Sequence, residues 1–317
     1  MVFLAAMPVL LFFIDGLGIG PRGPFNPLDG LDEAEPLAVF RDETLSTIHN
    51  GTIVPTDASL GVEGRPQSAS GQTTILTGVN VPALLGYHKQ GFPNKEMLEI
   101  IREHSIFLQL TRAGVSPITF ANTYTDRFFE ERPRWVSATT AAVEAAGIPF
   151  RKVADNIAGR AVFHDFTNRA LIERGETVAT RTPEEAAAVL AGISKENQFT
   201  LYEYFITDKM GHAQDREAAR SVLKDLAAVV RGLLTRIDLS QTSVILTSDH
   251  GNIEDLSSRN HTLNKVPTIV WGANQKVIAD RIQSLADITP AIVHVLTTKG
   301  TDTDGNTGRS PSGQSTI

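Results

Sequence analysis

The stretch VLLFFI, residues 9–14, is an uninterrupted apolar run that ends directly before Asp15 and Gly16. A run without polar alternation predicts a parallel strand that is buried on both faces and ends at a loop. Two later runs, residues 199–206 and 243–247, are likewise followed within two residues by an acidic side chain. Because ligands bind outside the carboxyl ends of strands in open α/β sheets, we expect three segments to deliver carboxylates to one crevice.

Helical patterns lie between these strands. Residues 95–110 follow a capping Asn94, residues 182–191 open with a Thr-Pro-Glu-Glu sequence, and residues 215–234 form a third periodic segment. A further strand is expected at residues 115–120. The alternation predicts a doubly wound α/β fold with a mainly parallel sheet and helices on both faces.

The domain organisation follows from changes in composition. Residues 1–125 and 181–298 are expected to form one discontinuous core. Residues 126–180 are rich in arginine and have little clear period, which indicates a small inserted lid. Residues 299–317 contain almost nothing apolar, so we expect a disordered tail.

Composition excludes several classes of function. The 317 residues carry a formal net charge of −7, which offers no basic field for a nucleic-acid backbone. The chain has no cysteine, so thiolate zinc sites and disulfides are excluded and His, Asp and Glu remain as metal ligands. The apolar start lacks a basic leader region, and no segment has the ~18 apolar residues of a membrane span. We expect a cytoplasmic protein without a membrane or nucleic-acid partner, and the sequence leaves the oligomeric state open.

Ligand-type residues cluster after the predicted strands. Asp208 and His212 are four residues apart, so a helical turn would place both beside one cation. Asp249 and His250 are adjacent at another strand end, and His261 adds a third imidazole. Each pattern alone also fits a turn or an exposed histidine. Their joint occurrence beside strand ends favours a metal site.

The segment RPQSASGQTTILTG, residues 65–78, is rich in small and hydroxyl residues. Small residues let a backbone approach a phosphate, and a hydroxyl at the start of the next helix would face the positive end of its dipole. A plain Ser/Thr-rich loop before a helix is the alternative interpretation.

Together these segments resemble the alkaline phosphatase superfamily, in particular its metalloenzyme branch with cofactor-independent phosphoglycerate mutase and phosphopentomutase. Asp15 matches the opening metal ligand, and Ser68, with Gly71 and the Thr77-Gly78 pair, matches the nucleophile segment. The D-x-x-x-H, D-H-G-N and H-T-x-N-x-V-P segments of the family occur in order from residue 208 to residue 267.

The resemblance implies a metal-dependent phosphotransferase with two divalent cations, Mn²⁺ or Zn²⁺, with Mg²⁺ as a third option. It implies that one cation is held by Asp15, Asp249 and His250 and the other by Asp208, His212 and His261. Ser68 would bind the first cation and form a phosphoserine with a small phosphorylated substrate.

Several alternatives stay open. Gln72 replaces a histidine of the mutases, and a lid of about 55 residues is smaller than the cap of either mutase. A phosphomutase, a phosphatase or phosphodiesterase, and a catalytically inactive ligand-binding relative therefore all remain. The glycine-rich residues 16–20 invite a dinucleotide-binding interpretation, but Pro21 and Pro24 oppose the required helix.

The arginines of the expected lid are candidates for binding the non-transferred part of an anionic substrate, with a solvated basic face as the alternative. The candidates are the five arginines between residues 127 and 160, namely Arg127, Arg132, Arg134, Arg151 and Arg160.

Overall fold

The computed structural model describes residues 7–45 and 48–298. Its strands are β1 (Val9–Ile14), β2 (Thr52–Thr56), β3 (Ile118–Phe120), β4 (Thr123–Tyr124), β5 (Arg151–Lys152), β6 (Phe199–Tyr204), β7 (Ser243–Ser248) and β8 (Val266–Gly272). Six of them form one sheet in the order β2-β8-β7-β1-β6-β3, and β4 pairs with β5 separately. Strands β3, β6, β1 and β7 are parallel, whereas β8 runs antiparallel to both β7 and β2.

Thirteen α-helices are assigned in the described ranges. They are α1 (Ser68–Thr77), α2 (Val81–Leu85), α3 (Lys95–His104), α4 (Ile106–Arg112), α5 (Asp126–Glu130), α6 (Ala138–Ala145), α7 (Val153–Ile157), α8 (Arg169–Glu173), α9 (Pro183–Lys195), α10 (Ile206–Ala213), α11 (Arg216–Arg236), α12 (Gln275–Ala279) and α13 (Ile288–Thr297). Short 3-10 helices occupy Asp32–Leu37, Ile48–Asn50 and Leu285–Asp287.

The sheet has a hydrophobic core on each face. Leu10 and Phe12 of β1 join one core with the apolar sides of α9 and α11. Leu11 and Phe13 point the other way and join a second core with α1, α4, α6 and α13. Because both faces of β1 are covered, the strand needs no polar alternation, and the predicted fold class is confirmed.

Some predicted boundaries were wrong. Residues 95–110 form two helices, because Ser105 adopts an extended backbone and its hydroxyl accepts a hydrogen bond from Leu108 N (3.4 Å) as the cap of α4. The strand expected at residues 115–120 is confined to Ile118–Phe120, whereas α9 and α11 run past their expected ends to Lys195 and Arg236.

Residues 126–180 contain α5, α6, β5, α7 and α8. Helix α6 packs against α1 and α3, and its buried Ala142 and Val143 belong to the second core. Any mobile lid within this segment therefore excludes α6. The expected tail at residues 299–317 lies outside the described residues, as do residues 1–6 of the apolar start.

A bilayer crossing needs about 20 apolar residues in one helix. Among residues 7–45 and 48–298, no helix has that combination of length and apolar character.

Candidate metal centre

The acidic strand ends meet at one edge of the sheet. The pairing register of β1 with β6 and with β7 ends all three strands at the same level. Asp15 and Asp249 follow their strands directly, and Asp208 lies in the first turn of α10. Gly16 has a positive φ of 77°, and a Cβ on it would lie 2.8 Å from Asp208 Cβ, so only glycine lets the two segments approach this closely.

Asp208, His212 and His261 form one group of ligand-type atoms within 4.8 Å of one another. The two carboxylate oxygens of Asp208 lie 3.3 Å from His212 Nε2 and 3.4 Å from His261 Nε2. The two Nε2 atoms are 3.3 Å apart. The four-residue spacing in α10 thus places Asp208 and His212 side by side, as the sequence indicated.

A second group consists of Asp15, Asp208 and His250, again with ligand-type atoms within 4.8 Å. His250 Nε2 lies 3.2 Å from Asp15 Oδ1 and 3.5 Å from Asp249 Oδ2. The rings of His250 and His261 stack with their centroids 3.6 Å apart. Asp208 belongs to both groups, so the six Asp and His side chains form one continuous cluster.

Backbone carbonyls orient two of the imidazoles. His261 Nδ1 lies 2.9 Å from Pro66 O, and His212 Nδ1 lies 2.6 Å from Arg259 O. When Nδ1 donates its proton to such a carbonyl, Nε2 keeps its lone pair for a cation. Both rings therefore present the correct nitrogen to the cluster.

Burial and mutual charge shift the ionisation of the cluster. Burial by itself would lower the pKa of His250, but the charges of Asp249 and Asp15 outweigh it and raise that pKa to about 10. Burial opposes ionisation of Asp208, yet its hydrogen bond with His261 and the charge of His250 lower its pKa to about 2. Burial also raises the pKa of Asp249 well above its usual range. Without a cation the cluster therefore retains protons.

The donor set fits divalent cations. Carboxylates and imidazoles together suit manganese and zinc. Asp15 Oδ1 is buried and has no hydrogen-bond partner of acceptable geometry within the described part of the chain, with His250 Nε2 3.2 Å away. An unpaired buried carboxylate oxygen is costly, and a cation beside it would remove that cost.

Ser68 is the first residue of α1, and its Oγ lies 3.0 Å from His250 Nε2. The neighbouring hydroxyls have other partners: Ser70 Oγ accepts from Lys89 N, and Thr73 and Thr74 donate to carbonyls one turn back. A Cβ on Gly71 would lie 3.0 Å from Asp249 O, so glycine here lets α1 pack tightly against the cluster. Among the hydroxyls of this loop and helix start, Ser68 is the one in contact with the cluster.

Gln72 takes part in the cluster. Its Nε2 donates to Asp15 Oδ2 (2.9 Å) and to Asp249 Oδ2 (3.2 Å). The side-chain amide therefore holds two carboxylates together from the face of α1.

Sequence reasoning missed Glu254, which is almost completely buried. Its Oε2 accepts hydrogen bonds from Gly18 N (2.9 Å) and Asn252 N (2.7 Å). Its Oε1 accepts from Thr262 Oγ1 (2.5 Å) and Asn264 Nδ2 (3.0 Å). Glu254 thus ties together the three loops that carry Asp15, Asp249–His250 and His261. The signal was the acidic residue two positions after D-H-G-N, next to an apolar Ile253.

Glu203 was also missed because it lies inside the apolar run of β6. Its side chain is buried, and this burial, with the charge of Asp15 added, raises its pKa to about 7. Asn252 completes the surroundings of the cluster by donating from Nδ2 to Asp208 Oδ1 (2.7 Å).

The five candidate arginines of residues 126–180 have their contacts with residues other than those of the cluster. Arg132 binds Glu144 with both of its terminal nitrogens, and Arg127 and Arg160 pair with acidic residues of their own segment. Arg151 donates to Thr119 Oγ1, and Arg134 lies over the ring of Trp135. The ion pairs of Arg127, Arg132 and Arg160 are thus formed within residues 126–180.

The mainly parallel sheet with a cluster of Asp and His side chains at its carboxyl edge is the arrangement of an α/β metalloenzyme. A family model described as the metalloenzyme superfamily matches residues 7–300, and the chain belongs to this family. The resemblance inferred from the sequence is thereby confirmed.

The chain matches only part of the length of each individual relative. The chain is 30% identical over 120 residues to a 2,3-bisphosphoglycerate-independent phosphoglycerate mutase of Wolinella succinogenes, covering 36% of this chain and 24% of that protein. It is 25% identical over 130 residues to a phosphopentomutase of Alkaliphilus metalliredigens, covering 38% and 33%. The chain thus matches about a quarter to a third of the length of these curated relatives.

Among solved structures, a cold-active alkaline phosphatase from Shewanella sp. superposes with a TM-score of 0.51 at 11% identity. The superposition covers 92% of this chain and 100% of that chain. A likeness at this identity supports the fold.

Proposed function

We propose that this chain is a two-metal phosphoryl-transfer enzyme, mutase-like, that acts on a small phosphorylated metabolite through a phosphoserine at Ser68. The observation that carries the proposal is the contact of Ser68 Oγ with His250 Nε2, 3.0 Å, at the margin of a buried Asp/His cluster. Hydrolysis of phosphate esters by a metal-dependent phosphatase or phosphodiesterase is the alternative.

The proposed ligand sets are Asp15, Asp249 and His250, joined by Ser68, for one cation, and Asp208, His212 and His261 for the other. When bound, divalent cations make a hydroxyl more acidic and neutralise charge on phosphoryl oxygens. Asp208 belongs to both groups of ligand-type atoms. Its carboxylate has a pKa of about 2, so it is ionised at neutral pH and favours binding of both cations.

The chain's own groups account for the transfer. Ser68 Oγ would attack phosphorus and give up its proton to solvent, the bond from phosphorus to the ester oxygen breaks, and the leaving oxygen takes up a proton from solvent. Ser68 sits in the first turn of α1, where unpaired amides and the helix dipole favour a phosphoryl group. A second substrate hydroxyl, or water in the hydrolytic alternative, would then take the phosphoryl group from the serine.

The choice of acceptor depends on whether water reaches the phosphoserine. We propose that part of residues 126–180, apart from α6, acts as a lid that limits this access. Observed hydrolysis without transfer to a second hydroxyl would favour the alternative function.

The test replaces Ser68 by Ala in metal-loaded protein. We expect turnover of phosphate esters to fall by several orders of magnitude and the phosphoenzyme to disappear, while the six Asp and His ligands stay in place and keep most of the metal content. The phosphoenzyme is measured by mass spectrometry after acid quenching, and Ser257→Ala, an exposed serine distant in sequence from α1, serves as the matched control.

Three outcomes would contradict the proposal. Phosphate found on Ser70 or Thr73, with an active Ser68→Ala protein, would show that the nucleophile is wrong. A wild-type protein that binds no divalent metal, or that binds metal and turns over no ester, would favour an inactive ligand-binding relative.

A further inference from the structure

A polar cavity of about 290 Å³ adjoins the metal centre. Its lining residues are Arg65, Gln67, Gln90, His212, Asn260 and His261. Two of these, His212 and His261, belong to the Asp208 ligand group. A molecule in this cavity would therefore sit directly beside the proposed second cation.

The lining is suited to an anion. It contains one guanidinium group, three side-chain amides and two imidazoles, and none of the lining residues is acidic. Arg65 is exposed and has no hydrogen bond or ion pair with another residue of the described ranges, in contrast to Arg132 and its partner Glu144. A free guanidinium can bind a carboxylate or a phosphate with two parallel hydrogen bonds.

A second lining residue, Gln67, has an unpaired atom. Gln67 Oε1 is buried and lacks a hydrogen-bond partner among the described residues. Because this oxygen is closed to solvent, it offers no contact to a molecule in the cavity, and recognition there rests on Arg65.

The position of Arg65 is fixed by its neighbours. Pro66 O lies 2.9 Å from His261 Nδ1, and Gln67 O accepts a hydrogen bond from Gly71 N (2.9 Å) in the first turn of α1. The backbone that carries Arg65 is thus attached both to a ligand histidine and to the helix of Ser68.

We infer that this cavity is a subsite for a second anionic group of the substrate, bound by Arg65. The inference rests on the proposed function and deepens it, because it defines the substrate class as a small phosphate ester that carries a further carboxylate or phosphate. The subsite is built from the loop before the nucleophile, and the arginines of residues 126–180 are not part of it.

The experiment measures binding of non-hydrolysable phosphonates to the metal-loaded protein by calorimetry. The probes are benzylphosphonate, 4-carboxybenzylphosphonate and the corresponding bisphosphonate, which differ only in the second group. Arg65→Gln should weaken one or both of the two-anion probes by about tenfold and benzylphosphonate by less than about twofold. Arg65→Lys should restore part of the difference, and high salt should reduce it, because Arg65 is exposed.

Arg102→Gln is the matched control, since Arg102 is an exposed arginine of α3 outside the cavity. An equal loss for all three probes would overturn the inference, because Arg65 would then contact the transferred group itself. Equal binding of all probes by wild-type and Arg65→Gln, or no binding at all, would also overturn it. The Ser68 phosphoenzyme assay is independent of these probes, so it shows whether the proposed function fails as well.

Discussion

Glu254→Gln is the substitution that tests how the metal centre is assembled. The carboxylate accepts four hydrogen bonds, from Gly18 N, Asn252 N, Thr262 Oγ1 and Asn264 Nδ2. Glutamine keeps the size of the side chain but replaces one oxygen by an NH₂ group. That group would face two donors and could accept from neither, although on one side the Thr262 hydroxyl could turn and accept from it.

The expected cost follows from those two donors. A buried donor left without an acceptor costs about 1–3 kcal/mol, so one or two of them should lower the free energy of unfolding by about 2–4 kcal/mol. This is a large part of the roughly 5–15 kcal/mol that stabilises a folded protein. Because the four partners lie on loops that carry metal ligands, we also expect metal affinity to fall about 10- to 100-fold.

The assay combines urea unfolding of the metal-free protein with calorimetric metal titration of the folded protein. Glu217→Gln, an exposed change in the first turn of α11, should stay within about 0.5 kcal/mol of wild type and keep its metal affinity. If Glu254→Gln matched this control in both measurements, the assignment of Glu254 as a positioning residue would be refuted. A loss of stability alone, with metal affinity unchanged, would reduce its role to structural support.

Two further predictions concern protonation. Since the pKa of His250 is raised to about 10 without metal, metal binding at pH 8 should release on the order of one proton, and metal affinity should rise with pH. Calorimetric metal titration in buffers of different ionisation enthalpy measures this proton release. Identical apparent enthalpies in these buffers would contradict the prediction. The pKa of Glu203 rises from 4.5 to about 7 on folding, so its protonation stabilises the metal-free protein fully below pH 4.5 and this stabilisation is lost as pH rises through 7. It amounts to about 3 kcal/mol, and Glu203→Gln should remove that part of the pH dependence of urea unfolding; an unchanged dependence would show that Glu203 does not titrate in this range.

The sequence predicted the features that depend on residues close together in the chain. The buried strand before Asp15 and the four-residue spacing of Asp208 and His212 appear in the structure as expected, because strand burial and helical spacing depend on neighbouring residues. The hydrogen bonds that Glu254 accepts from the ligand loops could not be predicted, since Gly18 is 236 residues away in the chain and comes into contact with Glu254 only after folding. The break at Ser105 was also missed, because a capping hydroxyl within an otherwise helical pattern has no strong signal of its own.

The arrangement separates the proposed chemistry from the choice of substrate. The six Asp and His side chains lie at the edge of the central sheet. Gln72 and Asn252 donate hydrogen bonds to their carboxylates, and Glu254 accepts hydrogen bonds from the loops that carry them, so the ligand geometry depends on the core. The cavity with Arg65 lies at the margin of this cluster and adds no ligand to it. Since Arg132 in residues 126–180 is already neutralised by Glu144, a change there should affect access of water more than recognition of charge. Phosphoenzyme formation would then depend on the core. The preference for a second anionic group would depend on the loop before Ser68, and the choice of phosphoryl acceptor would depend on the segment that covers the site.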